Sequence, residues 1–402
     1  MPTLIFTSAQ DPTPRARLGE NRPEERRSVI LDRLRASSRA ADIIAVEPNA
    51  TALEKAKDLQ CVTANKLSFL GSVHEAYRTD PSPDHSFASS ETACGTGVVP
   101  YFFTRLAATE RDPWPRRLAW HATDGLTPIF EDLPEVLAAD AAVCERAAIF
   151  FDVESGKRGE ELPAFLYVLP THPGHHATAE HYGGYCFLNL AVFIDALLRE
   201  RGFSPFIIDV DYHAGDGTAS FLGASGRFVS LHVRASLRPP FANCTQCPIY
   251  PCVQPMATRA AAVTPGLEAS SQVPCVPVLE TLHCVQALDD YPFLPVEAAT
   301  APTWAVGVPP DATWLEYEPL LRAALRRRPE ASDSIIISLG FDTLAGDPDA
   351  KEGCRMSLQP ADFGRMRSVV SEEVGHLPII AVQEGGYNLQ DIPAAAEAFC
   401  VG

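Results

Sequence analysis

The sequence predicts an α/β fold, a mainly parallel sheet covered by helices on both faces, with its functional site at the carboxyl ends of the strands. Three observations lead there. Short apolar runs recur through the chain, separated by helical patterns, and strands buried on both faces read as such runs instead of alternating ones. Polar residues cluster where several of these runs end, the edge at which open α/β sheets hold ligands. With 402 residues, 46% of them hydrophobic and 21% charged, the chain has the ordinary balance of a globular protein and room for one large core.

In chain order, residues 3–6 read as a short first strand, and residues 24–37 as a charged helix with Pro23 near its start. Residues 80–97, rich in Pro, Ser, Asp and Gly, read as a surface loop. Residues 133–148 are Ala-rich with apolar positions three and four apart, a helical spacing. Strands then follow at Phe165–Leu169, 206–209, 227–233, Ser334–Leu339 and 378–382, with helices between several of them, notably 188–201 and 314–328. Residues 234–290 interrupt the pattern: they are rich in Pro and Cys, lack a period and hold five of the eleven cysteines. Cys244-x-x-Cys247 has no second, regularly spaced pair to complete a zinc module. The expectation is one domain over 1–402 carrying a disordered insertion, or a segment retained when the gene was translated, since loops this long are uncommon within a compact domain.

Charge and cysteine usage narrow the function classes. The excess of 51 Asp and Glu over 33 Lys and Arg, net −18, opposes a nucleic-acid surface and favours approach of cationic ligands. No signal-peptide core opens the sequence, and no run of about 18 apolar residues suggests a membrane span. The cysteines lack a disulfide spacing, which fits an intracellular setting, cytoplasmic or nuclear. A homo-oligomer is compatible with all of this.

The densest chemistry lies at 206–213, Phe-Ile-Ile-Asp-Val-Asp-Tyr-His. Along a strand, side chains two apart share a face, so Asp209, Asp211 and His213 leave an apolar strand together. Buried charges at that density need partners or a cation. Other strand ends add His175 and His176, then Gly340-Phe341-Asp342, then Glu384-Gly385-Gly386-Tyr387. A set of Asp and His ligands suits a divalent metal with open positions, zinc first and ferrous iron as the alternative, which would acidify water and polarise a carbonyl. A histidine pair offers a general base and a second proton carrier, with Asp209 and Asp216 as candidates to orient the imidazoles. A tyrosine on a Gly-Gly loop can donate to a developing oxyanion. These parts describe metal-assisted hydrolysis of an amide.

With those residues assembled, the chain resembles the zinc-dependent histone deacetylase and acetylpolyamine amidohydrolase family of the arginase-deacetylase superfamily. The matching segments are Pro173-Gly174-His175-His176-Ala177, Gly183-Gly184-Tyr185-Cys186-Phe187-Leu188-Asn189, Asp209-Val210-Asp211-Tyr212-His213, Ser230-Leu231-His232, Gly340-Phe341-Asp342 with Gly346-Asp347-Pro348, and Glu384-Gly385-Gly386-Tyr387. The resemblance implies that Asp211, His213 and Asp342 bind zinc, that His176 with Asp216 is the general base, and that His175 with Asp209 is the electrostatic partner or proton donor. It implies Tyr387 as the oxyanion stabiliser and Tyr185 and Gly184 as part of the substrate channel. It further implies structural potassium near Asp209, Asp211, His213, Ser230 and Leu231. The implied substrates are an acetyl-lysine peptide or protein, or an acetylated polyamine. An inactive interaction protein would have lost a ligand or Tyr387, and neither is lost; an arginase-like binuclear ureohydrolase would need further ligands. Departures from the family pattern are Ala214 in place of a second histidine, Leu190 in place of Asn or Asp, and Thr171-His172 in place of an Arg-Pro pair.

Overall fold

The computed structural model describes residues 3–10, 23–37, 42–80, 90–92, 95–100, 103–104, 106–156, 165–233, 304–348 and 355–401. The expected insertion at 234–290 lies outside them.

Eight strands pair in one parallel sheet: β1 (Leu4–Ser8), β2 (Asp42–Val46), β5 (Phe165–Leu169), β6 (Pro205–Asp209), β7 (Phe228–Val233), β8 (Ala305–Val308), β9 (Ser334–Leu339) and β10 (Ile379–Gln383). Their spatial order is β2-β1-β5-β10-β9-β6-β7-β8, and every pairing is parallel. The central strands β5, β6, β9 and β10 are buried at every residue, which is why they read as unbroken apolar runs.

Alternation of side chains divides each central strand between two cores. Phe165, Tyr167, Leu169, Phe206, Ile208, Ile335, Ile337, Ile379 and Ala381 join one cluster. It is closed by α1 (Pro23–Ala36), α8 (Trp314–Leu325), α9 (Pro360–Val374) and α10 (Ile392–Val401). Leu166, Val168, Ile207, Ile336, Ile380 and Val382 join the other, under α2 (Ala50–Asp58), α5 (Leu133–Gly156) and α6 (Leu190–Glu200). A third cluster gathers α3 (Ala64–Thr79) and α4 (Trp114–His121) around Tyr182 and Phe187. Among the described residues no helix is long and apolar enough to cross a membrane. Cys61, Cys144, Cys186 and Cys400 are buried and free of disulfides.

Several boundaries differ from the sequence expectation for local reasons. The stretch 80–97 is not wholly a loop: β3 (Ser90–Thr92) and β4 (Gly95–Gly97) pair antiparallel within it. A Cβ on Gly97 would lie 2.5 Å from Pro128 Cβ, so the glycine that suggested a loop instead allows close packing of a strand end. Helix α6 starts two residues later than expected because Asn189 caps it, accepting from Val192 N at 3.1 Å. Helix α8 stops at Leu325, three residues early, and α5 runs on to Gly156.

The register matters for the site. Strands β5, β10, β9 and β6 are consecutive neighbours, with Gln383 opposite Leu339 and Asp209 opposite Ser338. Their carboxyl ends therefore finish level along one edge, and the segments that follow them meet there.

Candidate active site

Asp209 is the last residue of β6 and is fully buried. Its Oδ1 accepts from Asp211 N at 3.0 Å, and its Oδ2 lies 3.0 Å from His175 Nδ1. The chain then turns back on itself: Asp211 Oδ1 accepts from His213 N at 2.9 Å, and Asp211 Oδ2 accepts from Gly385 N at 2.9 Å. Asp342, after β9, accepts from Tyr212 N through Oδ1 at 2.9 Å. Its Oδ2 is buried without a hydrogen-bond partner among the described residues, 3.3 Å from His213 Nδ1.

Ligand-type atoms of Asp211, His213 and Asp342 lie within 4.8 Å of one another, all three residues buried. Burial and the neighbouring Asp211 push the Asp342 carboxyl well above the usual carboxylate range. Burial would do the same to Asp211, but the His175 and His213 imidazoles outweigh it and hold its carboxyl well below that range. Two buried carboxylates this close cannot both carry charge cheaply without a cation between them. The orphaned Asp342 oxygen and the mixed N/O donor set fit a divalent metal.

His175 and His176 follow β5 on a loop with little freedom. Asp140 of α5 accepts from Thr171 N at 2.7 Å and His172 N at 3.1 Å, so the departure at Thr171-His172 is held by a buried carboxylate. His176 Nδ1 lies 2.6 Å from Asp216 Oδ1, where Asp216 opens α7 (Asp216–Leu222). The two imidazoles sit with centroids 4.0 Å apart. Burial lowers the basicity of His176, the His175 charge lowers it further, and Asp216 offsets this only in part. Burial acts on His175 too, but Asp211 and Asp209 overcome it and raise its pKa well above the ordinary histidine value.

The Tyr387 and Tyr185 rings face each other at the same edge, their centroids 6.2 Å apart. Asp347 Oδ2 accepts from Tyr387 N at 2.7 Å and Asn388 N at 3.1 Å, which fixes the loop carrying the phenol. Gly184 and Tyr185 both have left-handed backbone, φ 56° and 63°. Gly184 N donates to Asp124 Oδ2 at 2.5 Å and Tyr185 N to Thr127 Oγ1 at 3.0 Å. Ser230 and Leu231 lie buried on β7 beside β6, with Ser230 opposite Asp209.

All the candidate site residues named from the sequence thus fall at one edge of the sheet. The structure adds Asp140 and Asp124, and shows that Asp347 and Glu384, present in the sequence motifs without a role, also hold the site loops. It also adds Arg26, fully buried, whose guanidinium lies 5.6 Å from the Tyr387 ring centroid. Nothing in the charged composition of α1 distinguishes Arg26 from the exposed Arg33 and Arg35 of the same helix. Of the departures, Leu190 is a core residue under the second sheet face and Ala214 packs against the same cluster, so both serve packing and neither vacates the Asp211, His213 and Asp342 group.

The histone deacetylase domain matches residues 105–402. The chain belongs to the histone deacetylase family. Within it, acetylpolyamine amidohydrolase 2 of Pseudomonas aeruginosa is 28% identical over 294 residues, 72% of this chain and 68% of that protein. Histone deacetylase 6 of Caenorhabditis elegans is 26% identical over 264 residues, 65% of this chain and 22% of that protein. The crystal structure of an acetylpolyamine aminohydrolase from Burkholderia pseudomallei superposes with a TM-score of 0.66 at 21% identity, covering 99% of this chain and 97% of that one. That likeness extends the fold of the family to the sheet described above.

Proposed function

We propose that this hydrolase of the deacetylase type is a metal-dependent amidohydrolase that cleaves the acetamide of acetyl-lysine or of a small acetylated amine such as an acetylpolyamine. The observation that carries the reading is the set of two histidine–carboxylate pairs stacked beside Asp211, His213 and the orphaned Asp342 oxygen. Asp211, His213 and Asp342 would hold zinc, or ferrous iron, which when bound supplies a Lewis acid that acidifies water and polarises the acetyl carbonyl.

The remaining work falls to the chain. His176, kept neutral by burial, accepts the proton of the attacking water, with Asp216 fixing its tautomer. His175, kept charged by Asp211 and Asp209, stabilises negative charge and returns a proton to the leaving amine. Tyr387 donates to the developing oxyanion. Tyr185, with Gly184 behind it, offers an aromatic wall to an alkyl chain. Backbone and side-chain oxygens at Asp209, Asp211, His213, Ser230 and Leu231 would hold potassium. The proposed catalytic domain spans 1–402, with 234–290 as an insertion.

The names of two relatives, the acetylpolyamine amidohydrolases of P. aeruginosa and B. pseudomallei, favour small acetylated amines over proteins, and a net charge of −18 suits either cationic substrate. The test is a parallel assay on acetyl-lysine peptides and acetylated polyamines, with and without a chelator. Activity should vanish on chelation and return with zinc, and Tyr387→Phe should cost about 2.7–4 kcal/mol of transition-state stabilisation. Hydrolysis indifferent to the chelator, or undiminished in Tyr387→Phe, would overturn the reading.

A further inference from the structure

Glu384 directly follows β10 and is fully buried. Its Oε2 accepts two backbone hydrogen bonds, from Gly174 N at 2.6 Å and His175 N at 3.0 Å. The other side of the same segment is also held: His175 O accepts from Thr218 N at 3.0 Å, and Ala177 O from Asn189 Nδ2 at 3.2 Å. Gly174 is wedged besides, since a Cβ there would lie 2.6 Å from Leu190 N and 2.8 Å from Leu188 O. The histidine loop is therefore clamped between α6, α7 and one carboxylate that belongs to another strand.

That strand end bears on three parts of the site within four residues. Glu384 grips the histidine loop, Gly385 N donates to Asp211 Oδ2 at 2.9 Å, and Tyr387 brings its ring centroid 6.2 Å from that of Tyr185. We propose that Glu384 is a positioning residue: by holding the Gly174–His175 backbone against the segment that carries Tyr387, it fixes the spacing between the histidine pair and the phenol. The proposal rests on the amidohydrolase reading for its kinetic consequence, and on geometry alone for the clamp.

A competing use of Glu384 is as a metal ligand, because His175, Cys186 and Glu384 also bring ligand-type atoms within 4.8 Å of one another. Glu384 Oε2 accepts two N–H groups while Oε1 is buried without a hydrogen-bond partner among the described residues. The other two groups are engaged: His175 Nδ1 faces Asp209, and the Cys186 thiol, which burial keeps protonated far above its ordinary range, donates to Gly184 O at 3.3 Å. The trio reads as a clamp packed against a thiol.

Two substitutions in the full chain separate reach from charge. Glu384→Gln keeps an oxygen in place to accept both N–H groups, whereas Glu384→Asp keeps the charge and withdraws the oxygen by one methylene. Glu384→Asp should lower kcat about 10–100-fold, the usual effect of losing a group that orients catalytic residues, with KM and bound metal per chain unchanged. Amide exchange at Gly174 and His175, read by NMR or mass spectrometry, should quicken in Glu384→Asp and not in Glu384→Gln, whose kcat should fall less. Parental kcat and exchange in a folded Glu384→Asp variant would overturn the proposal, as would equal damage in the Gln variant, which would assign the effect to charge. If the parent chain hydrolyses neither substrate, the amidohydrolase reading fails, and exchange at Gly174 and His175 still decides whether the clamp exists.

Discussion

His175 and His176 are adjacent in sequence with ring centroids 4.0 Å apart, and their surroundings drive them in opposite directions. Two carboxylates, Asp211 and Asp209, bear on His175 and raise it, while burial and the charge of His175 lower His176. A neutral base and a charged partner thus coexist over a pH interval, and rate should follow a bell. Its acid limb, where His176 takes a proton, should fall below the ordinary histidine value of 6.5; its alkaline limb, where His175 loses one, should lie well above it. Both limbs belong to the coupled pair. Removing the charge of Asp216 in Asp216→Asn should move the acid limb to still lower pH, and Asp209→Asn should bring the alkaline limb down. A profile of kcat against pH for the three proteins checks both directions, and limbs that stay put would assign them to other groups.

The strand ends were legible in the sequence because a doubly covered parallel strand cannot hide its composition: Phe206 to Ile208 are apolar, so the acids that follow them stand out. Strand β2, at the sheet edge and partly exposed, was not anticipated although Ile43 to Val46 are apolar. The residues that the structure gathers at the sheet edge were legible as residue types at strand ends, and so were Asp209 and Asp216 as partners of the imidazoles. The roles of Glu384 and Asp347, which stand in the same motifs, were not. Glu384 and Asp347 act on backbone N–H groups of segments distant in sequence, and such pairing is a property of the register between β5, β9 and β10. Arg27 illustrates the same limit: it sits in a helix that reads as charged and exposed, yet it is buried, donating to Thr7 Oγ1 at 2.9 Å and Ser8 O at 2.5 Å.

Gly184 should not tolerate a side chain. Its φ of 56° lies in the left-handed region, where an L-residue costs roughly 1–2 kcal/mol. A Cβ there would also sit 2.4 Å from His176 Cδ2. Gly184→Ala should therefore lower kcat as well as the melting temperature, because the imidazole has to move. Gly202, with φ of 90° and open space around it, supplies the control: Gly202→Ala should lower the melting temperature and leave kcat alone. Equal kcat in the two variants would show that His176 accommodates the methyl without consequence.

Asp347 should govern Tyr387 through the backbone. Truncation in Asp347→Ala leaves the Tyr387 and Asn388 N–H groups without their carboxylate acceptor, at roughly 1–3 kcal/mol for the buried Tyr387 N–H and less for the half-buried Asn388 N–H. Turnover should fall toward that of Tyr387→Phe with KM little changed, while Asp347→Asn, which keeps an acceptor oxygen, should fall less. Unaltered kcat in Asp347→Ala would mean that the phenol is held by its ring contacts alone.

Lys66 should make stability depend on pH in an unusual sense. It is fully buried on α3, and Nζ donates to Thr178 O at 2.8 Å and His181 O at 2.7 Å, just beyond the histidine loop. Burial lowers its pKa from 10.5 to about 7, with Glu180 and Cys186 offsetting only part of this. Below about pH 7 folded and unfolded chains both carry the proton, and the full cost of burying the charge applies. Between about 7 and 10.5 the unfolded chain binds a proton that the fold releases, so stability rises with pH across that window. The rise should total on the order of 5 kcal/mol. Lys66→Met should abolish it, at the expense of the donor to Thr178 O; His181 O still accepts from Thr178 N at 3.1 Å. Denaturant unfolding of both proteins through the window checks the sign: a parent whose stability, taken relative to Lys66→Met, falls or stays flat would mean that Lys66 remains charged in the fold, held by the two carbonyls and Glu180.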